Sequence, residues 1–363
     1  MQCKWFRYLF VVGVMALLAA CQPSAEREMV TITGQTMGTT YTVKYINDQH
    51  DLDPQQVKTE IEARLQEVNR QMSTYLEDSE ISQFNQMKAG EMPISDDFAT
   101  VVKEAIRLNK VTHGALDVTV GPVVNLWGFG PDKTVLSSPT DEQLAQAKRV
   151  VGIDKIELKS LASSDGHENA ASTSAAPAQA HHKFLLSKKV DGVYLDLSSI
   201  AKGFGVDKIA FYLDELKLKN YLVEIGGELR AKGQNLQKKP WSIGIEQPTV
   251  LQHQANQLVL PLENLAMATS GDYRNFHLDA QGNRLSHIIN PQTFSPIHHR
   301  LASITVIQSS TMTADGLATG LFVLGEDKAL ELAEQEKIPV FMIIQSGEGF
   351  ETKMSSAFKS LIQ

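Results

Sequence analysis

Residues 303–319 read SITVIQSSTMTADGLAT. This stretch combines a predicted strand with a predicted helix, and the same mixture along the chain decides the fold class. Residues 303–307 are a strand-like run, and a helix is predicted from about Thr313. Strand-like runs and helical stretches follow one another on both sides of it, without the regular strand–helix–strand repeat of a doubly wound parallel sheet. The sequence therefore predicts an α+β fold in which strands and helices are mixed within a single domain.

Toward the N-terminus, local signals predict a strand pair and a long helix. Residues 30–46 alternate apolar and polar side chains around Gly34 and Gly38; these glycines either let a ligand approach the backbone or mark a β-bulge, and the bulge is favoured. Asp53 and Pro54 have the residue types of a helix cap and a first helical turn. The apolar residues that follow recur at steps of three and four, as on one face of a helix. They are Val57, Ile61, Leu65, Val68 and Met72.

The rest of the chain repeats these two kinds of signal. Helices are predicted at residues 98–111, from Thr140 with the pattern of a capping box, and from Asp327. Residues 274–278 and 285–289 flank a polar turn and predict a hairpin. Further strands are predicted at residues 184–187, 194–197, 221–225, 241–245, 258–262 and 339–344.

The composition excludes several classes of protein. The 363 residues are 42% hydrophobic and 21% charged, which is typical of a globular chain and excludes a disordered or multi-span membrane protein. The formal net charge is −8, and no long basic run is present to neutralise phosphates. A nucleic-acid partner is therefore not expected.

The N-terminus has the pattern of a bacterial lipoprotein signal. Lys4 and Arg7 precede an apolar run, residues 9–20, that is shorter than the ~20 residues of a spanning helix. The motif LAAC that ends at Cys21 resembles a lipobox, so we expect residues 1–20 to be cleaved as a signal peptide and Cys21 to carry lipid. An uncleaved N-terminal anchor is the alternative. In both cases the body lies outside the cytoplasm, at a membrane surface.

Several expectations follow for the mature chain. Residues 21–28 are expected to form a lipid-anchored tether, and residues 29–363 the folded domain. With Cys3 removed and Cys21 acylated, no thiol remains to form a disulfide, act as a nucleophile or bind a metal. Residues 160–182 are poor in large apolar side chains, so they are predicted to be a flexible surface insertion.

Six stretches are denser in glycine, small hydroxyl residues and acids than structural loops require. They cover residues 33–39, 72–80, 114–130, 195–205, 224–228 and a final group at 268–273, 287–291 and 313–319. Asp117 stands in an apolar run, where an acid needs a cation, a metal or a hydrogen-bond donor. Asp196, Ser199 and Lys202 stand where a predicted strand runs into a helix start that suits a phosphate or its counter-ion. Tyr75, just before a helix, offers a stacking face or packs beside a helix cap.

The pair Asp315 and Thr319 lies four residues apart on the predicted helix, so both oxygen atoms lie on one face. A carboxylate with a hydroxyl is hard-oxygen ligation, which suits magnesium that is also held by substrate phosphates. A capping aspartate with a threonine that bonds back to its own helix explains the same spacing. The residues alone favour this second interpretation.

Taken in order, these stretches resemble those of the ApbE-type FAD:protein FMN transferases, from about Thr31 to the C-terminus. The resemblance implies a mixed flavin transferase domain that depends on magnesium. Such an enzyme binds FAD, breaks its diphosphate, releases AMP and attaches FMN to a Thr or Ser hydroxyl of a target protein. The implied targets are subunits of sodium-pumping NADH:quinone oxidoreductase and of Rnf-type redox complexes. The lipobox agrees with the implied location, which is the periplasmic face of the bacterial inner membrane.

The resemblance also assigns roles to residues. His287 falls where the family has its proposed general base. The implied magnesium ligands are Ser199, Asp315 and Thr319. The implied FAD contacts are Met37, Tyr75, Ala115, Leu116, Asp117, Asp196, Lys202 and Ile289. The chain departs from the family's usual residues at Asn290, where Asp is usual, and at Phe294, where Gly is usual, and both are interpreted as local turn variation.

Two other functions would use the same residues. A magnesium-dependent FAD pyrophosphatase would split FAD into FMN and AMP without a protein acceptor. A non-catalytic periplasmic flavin-binding lipoprotein would hold FAD intact. Both stay open as alternatives to the transferase at this point.

Overall fold

The computed structural model describes residues 27–48, 52–131, 138–161, 183–246, 256–271, 276–278, 284–347 and 349–362. The helices in these residues are α1 (Pro54–Met72), α2 (Glu80–Gln86), α3 (Asp96–Val111), α4 (Gly121–Leu126), α5 (Asp141–Lys148), α6 (Ala201–Glu215), α7 (Thr311–Leu324), α8 (Glu326–Gln335) and α9 (Ser356–Leu361), with a 3-10 turn at Ile153–Lys155. The strands are β1 (Glu28–Thr36), β2 (Thr39–Asn47), β3 (Gly90–Ile94), β4 (Ile156–Ser160), β5 (Phe184–Lys188), β6 (Tyr221–Ile225), β7 (Glu228–Lys232), β8 (Trp241–Glu246), β9 (Asn256–Leu262), β10 (Leu265–Gly271), β11 (Phe276–Leu278), β12 (Arg284–Ser286), β13 (Ile289–Asn290), β14 (Ser295–Pro296), β15 (Leu301–Gln308), β16 (Val340–Ser346) and β17 (Gly349–Met354).

The way the strands join confirms the α+β prediction. The largest sheet has eight strands in the order β1-β2-β6-β7-β10-β15-β16-β17, and each neighbouring pair is antiparallel. A second sheet has the order β3-β5-β4, and β8–β9, β11–β12 and β13–β14 form two-stranded ribbons. Antiparallel neighbours need no helical crossover between them. The helices are therefore free to gather over selected parts of the large sheet.

The two faces of the large sheet are covered by different layers, because successive side chains on a strand point to opposite faces. On one face α1 and α6 share a core with β1, β2 and β6, while α7 packs on β10 and β15. On the other face lie the β8–β9 ribbon and α9, through Trp241 and Phe358. Strand β16 shows the alternation, since Met342 enters the helix-side core and Phe341 the opposite one.

Most local predictions are confirmed. Asp53 caps α1, since its side chain accepts a hydrogen bond from the Gln55 amide at 3.0 Å, and all five apolar residues predicted on one face of this helix are buried. The capping box that begins at Thr140 is complete at the start of α5. The hairpin predicted from residues 274–278 and 285–289 is present as β11 paired with β12, but the second strand ends at Ser286 and Ile289 pairs with Pro296 in β13–β14. Short-range periodicity and capping residues were sufficient to place these elements.

The strand predicted at residues 194–197 is wrong. These residues form no strand ladder, because a side chain, and not a neighbouring strand, bonds to the backbone groups of Leu195. Leu195 donates its amide to Asn85 Oδ1 at 2.7 Å and accepts from Asn85 Nδ2 at 2.9 Å. The Asp196 amide bonds to the carbonyl of Val118 at 2.8 Å. The segment is thus an extended approach to α6, held by Asn85.

The β-bulge predicted around Gly34 and Gly38 is also wrong. Strands β1 and β2 pair without interruption from Glu28 opposite Asn47 to Thr36 opposite Thr39. Met37 and Gly38 form the two-residue turn between them, with φ of 50° and 73°, as expected of a tight hairpin turn. Gly34 is needed for packing instead, since a Cβ there would lie 2.4 Å from the ring of Tyr41.

Some predictions fall outside the described residues. These include the signal peptide, the lipid-bearing Cys21 and the predicted insertion from residue 162 onward, while Ser160 closes β4. Among the helices that the structure describes, none has both the length and the apolar character needed to cross a membrane.

One end of the large sheet collects the features that lead to the site. The Met37-Gly38 turn lies there, and so does the Gly226-Gly227 turn between β6 and β7, both of whose glycines have positive φ. The two turns are adjacent, because Gly226 packs against the side chain of Thr39. Strand β10 ends on the same side at Gly271, beside α7.

Candidate active site at the crossing of α6 and α7

Helices α6 and α7 approach each other closely at a glycine. A Cβ on Gly203 would lie only 2.4 Å from the backbone oxygen of Thr311, so no other residue fits without moving one of the helices. The Gly203 amide donates a hydrogen bond to Asp315 Oδ2 at 2.9 Å. This amide is one of the first amides of α6, which lack partners within their own helix. Asp315 therefore ties the start of α6 to the middle of α7.

A second aspartate fixes the start of α7. Asp207 on α6 is buried and accepts hydrogen bonds from Ser310 Oγ at 2.7 Å, from the Thr311 amide and hydroxyl at 3.1 and 2.9 Å, and from the Met312 amide at 3.0 Å. Arg230 of β7 adds an ion pair at 2.8 Å. The carboxylate of Asp207 is thus fully occupied by groups that hold the crossing together.

Asp315 is different, because little of its hydrogen-bonding capacity is occupied. Burial raises the pKa of its carboxyl to about 7, against the opposing effect of Lys202. One helical turn further on, the Thr319 hydroxyl lies 3.2 Å from the Ser270 hydroxyl of β10. The capping interpretation of this pair is wrong: Ser310 caps α7, and Thr319 contacts another element. Asp315 and Thr319 do share one face, as predicted.

Lys202 lies between two carboxylates. Its Nζ is 2.5 Å from Glu228 Oε1, and its side chain keeps 31% of its exposure while Glu228 keeps 4%. Burial would lower the pKa of Lys202, but the carboxylates of Asp315 and Glu228 outweigh it and raise this pKa. The ammonium is therefore held charged at the crossing, while about a third of the Lys202 side chain remains exposed.

Met37 reaches the crossing from the β1–β2 turn. Its methyl group would lie 2.9 Å from a Cβ on Gly205, so the side chain rests directly on α6. Ser199 stands half-buried just before the helix, three residues from Lys202. The structure thus brings together five of the residues predicted for the site. They are Met37, Ser199, Lys202, Asp315 and Thr319.

Tyr75 and Asp196 form a second group. Tyr75 is 64% exposed in the turn between α1 and α2, and partial burial together with the nearby Asp196 carboxylate raises its pKa. Asp196 Oδ1 accepts hydrogen bonds from the Ser198 amide at 2.9 Å and hydroxyl at 2.5 Å. An exposed ring beside a half-buried acid is open to a planar group, and the stacking role of Tyr75 stays a prediction.

The loop from His113 to Gly121 connects these groups. Leu116 is buried and packs against Gly316 of α7, and Ala115 is buried beside it. Gly121 lies against Asp196, with 3.4 Å between its added Cβ and that of the acid. Of the three partners considered for Asp117, which were a cation, a metal and a hydrogen-bond donor, the structure shows hydrogen-bond donors. Its Oδ1 accepts from the Thr119 amide at 2.9 Å and hydroxyl at 2.6 Å, and burial raises its pKa.

His287 and Ile289 lie at the β13–β14 ribbon, which is tied to the same loop. Gln292 Nε2 donates to the His113 carbonyl at 3.1 Å, and Ile289 is buried in a small core with Val123. The His287 ring meets the edge of Phe129, with 6.5 Å between ring centroids. The ribbon thus presents a half-buried imidazole next to the connecting loop.

The two departures from the family's usual residues are explained by this turn. Asn290 Oδ1 accepts hydrogen bonds from the amides of Gln292 and Thr293 at 2.8 and 3.2 Å, which an Asp carboxylate would also do. Phe294 has a φ of 60°, the left-handed conformation that Gly adopts with least strain. Its burial and the hydrogen bond from Trp127 Nε1 to its carbonyl at 3.0 Å offset that strain.

Sequence reasoning missed three residues at the crossing: Gly203, Asp207 and Glu228. Glu228 lies in the glycine-containing stretch 224–228, but no local pattern pairs it with Lys202. Gly203 and Asp207 read as ordinary helix residues, because their partners are on α7. A contact between elements distant in sequence leaves no local periodicity to detect.

The oxygen donors at the crossing fit a magnesium site in which substrate phosphates supply part of the coordination. The described residues contain no group of three or more His, Cys, Asp or Glu side chains able to hold a metal. Asp315 offers one buried carboxylate, and the Thr319 hydroxyl lies on the same face. Magnesium in phosphate-transferring sites is commonly held by one or two carboxylates together with substrate phosphates. The residues therefore fit an ion whose coordination the substrate completes.

Comparisons with known proteins identify the family of the chain. A profile described as the ApbE family matches residues 37–342. The chain is 52% identical over 358 residues to the FAD:protein FMN transferase of Haemophilus influenzae, covering 98% of this chain and 97% of the relative. It is 46% identical over 356 residues to the FAD:protein FMN transferase of Vibrio cholerae serotype O1, covering 98% of each.

Solved structures give the same result. The flavin transferase ApbE from Vibrio cholerae aligns with a TM-score of 0.79 at 46% identity, over 92% of this chain and 99% of that one. The apo form of the Pseudomonas stutzeri flavinyl transferase ApbE aligns with a TM-score of 0.79 at 37% identity, over 93% and 97%. The similarity thus extends over the whole arrangement that carries the site.

Proposed function

The chain belongs to the ApbE family and is a flavin transferase, and we propose that it moves the FMN half of FAD onto a Thr or Ser hydroxyl of a target protein. In this reaction a bond forms between the acceptor oxygen and the phosphorus of the FMN half. The bond from that phosphorus to the bridging oxygen of the diphosphate breaks, and AMP leaves. The hydroxyl proton is released. The observation that carries the proposal is the crossing of α6 and α7, where the charge of Lys202 acts on the buried carboxylate of Asp315.

Lys202 supports the binding of a diphosphate. Its ammonium is kept charged by two carboxylates and the side chain keeps 31% of its exposure, so it can face phosphate oxygens while partly shielded from water. Charge interactions are stronger there than in bulk solvent. Lys202 would orient the diphosphate and stabilise the negative charge that grows on the leaving AMP.

Asp315, Thr319 and Ser199 would hold magnesium. When bound, such an ion neutralises phosphate charge and polarises the phosphorus under attack. Asp315 is already fixed by the Gly203 amide, so its carboxylate needs little reorganisation. Its raised pKa of about 7 fits the same role, because a carboxyl left without enough compensating charge is stabilised by a cation.

His287 would take the proton from the acceptor hydroxyl. A neutral imidazole accepts a proton near neutral pH, and here the ring is half-buried and steadied by Phe129. Tyr75 offers an exposed ring on which the flavin or adenine plane can stack. Asp196, Asp117, Ala115, Leu116, Met37 and Ile289 would complete the FAD surface.

The targets and the location belong to the same proposal. We expect the acceptors to be subunits of sodium-pumping NADH:quinone oxidoreductase or of Rnf-type complexes. We expect the enzyme to be anchored by lipid on Cys21 at the periplasmic face of the inner membrane. Mass spectrometry of the purified membrane form tests the anchor, since an unmodified N-terminus would contradict it.

A transfer assay tests the function. The full-length protein in detergent is incubated with FAD, magnesium and a candidate subunit, and the subunit is then weighed by mass spectrometry. The expected result is a mass gain of FMN less one water, which is lost when EDTA replaces magnesium or when the acceptor Thr is changed to Val. An unchanged subunit mass would contradict the proposal.

The same assay separates the two alternatives. AMP release at one rate with and without the subunit would favour an FAD pyrophosphatase. FAD that stays bound and intact in the presence of magnesium would favour a flavin-binding lipoprotein without turnover. Chromatography of the nucleotides distinguishes these outcomes directly.

A further inference from the structure

Glu228 is a buried acid whose position has no evident structural purpose. It is the first residue of β7, directly after the Gly226-Gly227 turn, and is 3% exposed. Oε1 contacts Lys202 Nζ at 2.5 Å. Oε2 is buried and has no hydrogen-bond partner among the described residues. Burying a carboxylate with an unpaired oxygen is unfavourable, so the fold carries an uncompensated cost here.

A comparison with Asp207 sharpens this point. The carboxylate of Asp207 also pairs with a cation, Arg230, but it additionally accepts backbone amides of α7. Asp207 therefore holds two helices together. No hydrogen bond joins the Glu228 side chain to the backbone of either helix among the described residues. Its ion pair reaches the end of the Lys202 side chain, which adds little to the cohesion of the crossing.

Buried ion pairs of this kind add little to stability, because the loss of hydration roughly cancels the attraction. Apolar side chains of similar size would fill the same space with less cost. Groups with displaced pKa values that meet in a cleft are instead frequent at functional sites. The effect of Glu228 on the position of the Lys202 ammonium is therefore the relevant one.

We propose that Glu228 is a positioning residue that holds the Lys202 ammonium beside Asp315, facing the diphosphate of FAD. This inference rests on the proposed function. A lysine ammonium has three N–H donors, so one can remain on Glu228 Oε1 while the others meet phosphate oxygens. Without Glu228, the four-carbon stem of Lys202 would sample many rotamers and extend toward solvent. Fixed placement of a charged group is a main source of catalytic efficiency.

A double-mutant cycle tests the proposal. E228Q keeps the size of the side chain but removes its charge, and K202M keeps the stem but removes the ammonium. E224Q is the matched control, because Glu224 is on the same hairpin, accepts the Gly227 amide at 2.7 Å and forms no ion pair with Lys202 among the described residues. Transfer at saturating FAD and FAD affinity by flavin fluorescence are measured for the wild type, the three single variants and E228Q/K202M.

We expect E228Q to lower turnover about tenfold and to weaken FAD binding about threefold, and E224Q to change neither by more than about twofold. In the K202M background, E228Q should have no further effect on either quantity. E228D, which restores the charge with a shorter reach, should recover part of the loss. An effect of E228Q that is equal in both backgrounds, or absent in both, would overturn the proposal.

Two further readouts keep the test decisive. Thermal unfolding of E228Q should lie close to that of the wild type, and if E228Q fails to fold, the cycle is run with E228D. If the wild type transfers no FMN, the proposed function fails while the cycle on FAD affinity still judges Glu228. An additive cycle together with normal wild-type transfer would reject only the positioning role.

Discussion

Two lysines lie partly or fully buried in different regions of this protein, and their surroundings shift their pKa values in opposite directions. Lys202 at the α6–α7 crossing faces the carboxylates of Glu228 and Asp315, which raise its pKa, and its side chain keeps 31% of its exposure. Lys188 at the end of β5 is 2% exposed. Its ammonium donates to the carbonyls of Asn85 and Met87 at 3.0 and 2.8 Å.

The surroundings of Lys188 are those of a structural group. Asn85 and Met87 lie at the C-terminal end of α2, where carbonyl groups lack partners within the helix, and the ammonium also lies 4.8 Å from the ring centre of Phe84. Burial lowers the pKa of Lys188 to about 8, although Asp191 opposes the shift. Burial alone therefore does not mark a functional lysine. The proposed role of Lys202 depends instead on its two carboxylate neighbours and on the part of its side chain that stays exposed.

The largest effect is expected from the acid that faces Lys202. Asp315→Asn should lower FMN transfer about 1,000-fold or more, because the Asn oxygen can still accept the Gly203 N–H but lacks the negative charge that binds magnesium strongly. Circular dichroism should be unchanged. Asp327→Asn on α8, whose side chain is 85% exposed, is the control. Transfer by D315N close to that of the wild type would refute the role of Asp315 as a magnesium ligand.

The two lysines can be compared directly by the same substitution. Lys202→Met should lower transfer about 100-fold, because the diphosphate loses its fixed cation. Lys188→Met should change transfer less than about threefold, provided the assay is run where both variants are folded. Thermal unfolding establishes that range. A similar loss of transfer in both variants would end the distinction between a functional and a structural lysine.

One added methyl group can disrupt the close approach of α6 and α7 at Gly203, which lies next to Lys202. Gly203→Ala places a Cβ against the Thr311 carbonyl, and backbone cannot move aside as a side chain does, so we expect a loss of about 2–4 kcal/mol in the free energy of unfolding. Gly205→Ala is the control, because its Cβ meets the flexible end of Met37. Urea denaturation measures both. An unperturbed G203A would contradict the tight crossing.

The smallest effect concerns the pH dependence of stability near Lys188. Its pKa is about 8 in the folded protein and 10.5 as the ordinary value, so the unfolded chain binds more protons between these pH values, and stability rises with pH there. Relative to Lys188→Met, the wild type should gain about 1–2 kcal/mol between pH 8 and about pH 9.5. Lys189→Met, which removes an exposed lysine, should show no such trend. A flat difference for K188M would contradict the lowered pKa.

Much of the fold could be predicted from the sequence, because local rules set its elements. The spacing of Val57, Ile61 and Leu65 identified the buried face of α1, and the residue types at Asp53 and Thr140 identified two helix starts. The extended segment before α6 was misassigned, since Asn85 replaces a neighbouring strand there. Nothing in its own sequence distinguishes those two ways of satisfying the backbone.

The site was predicted in part for a related reason. Spacing placed Asp315 and Thr319 on one face, but the residues alone favoured capping, and only the contacts with Gly203 and Ser270 removed that interpretation. The ordered motifs pointed to Lys202 through resemblance. Its partner Glu228 was missed, because the pairing of β7 with α6 is invisible in either segment.

The hydrophobic repeat of a helix or strand, the capping residues and the glycines at turns are properties of short segments. The sequence alone therefore determined the order of strands and helices and the mixed class of the fold. The electrostatic character of each lysine was not, because the free energy of a charge depends on which groups surround it in space. Asp315 and Gly203 are 112 residues apart in the sequence. Only folding brings them to one hydrogen bond and sets Lys202 beside them.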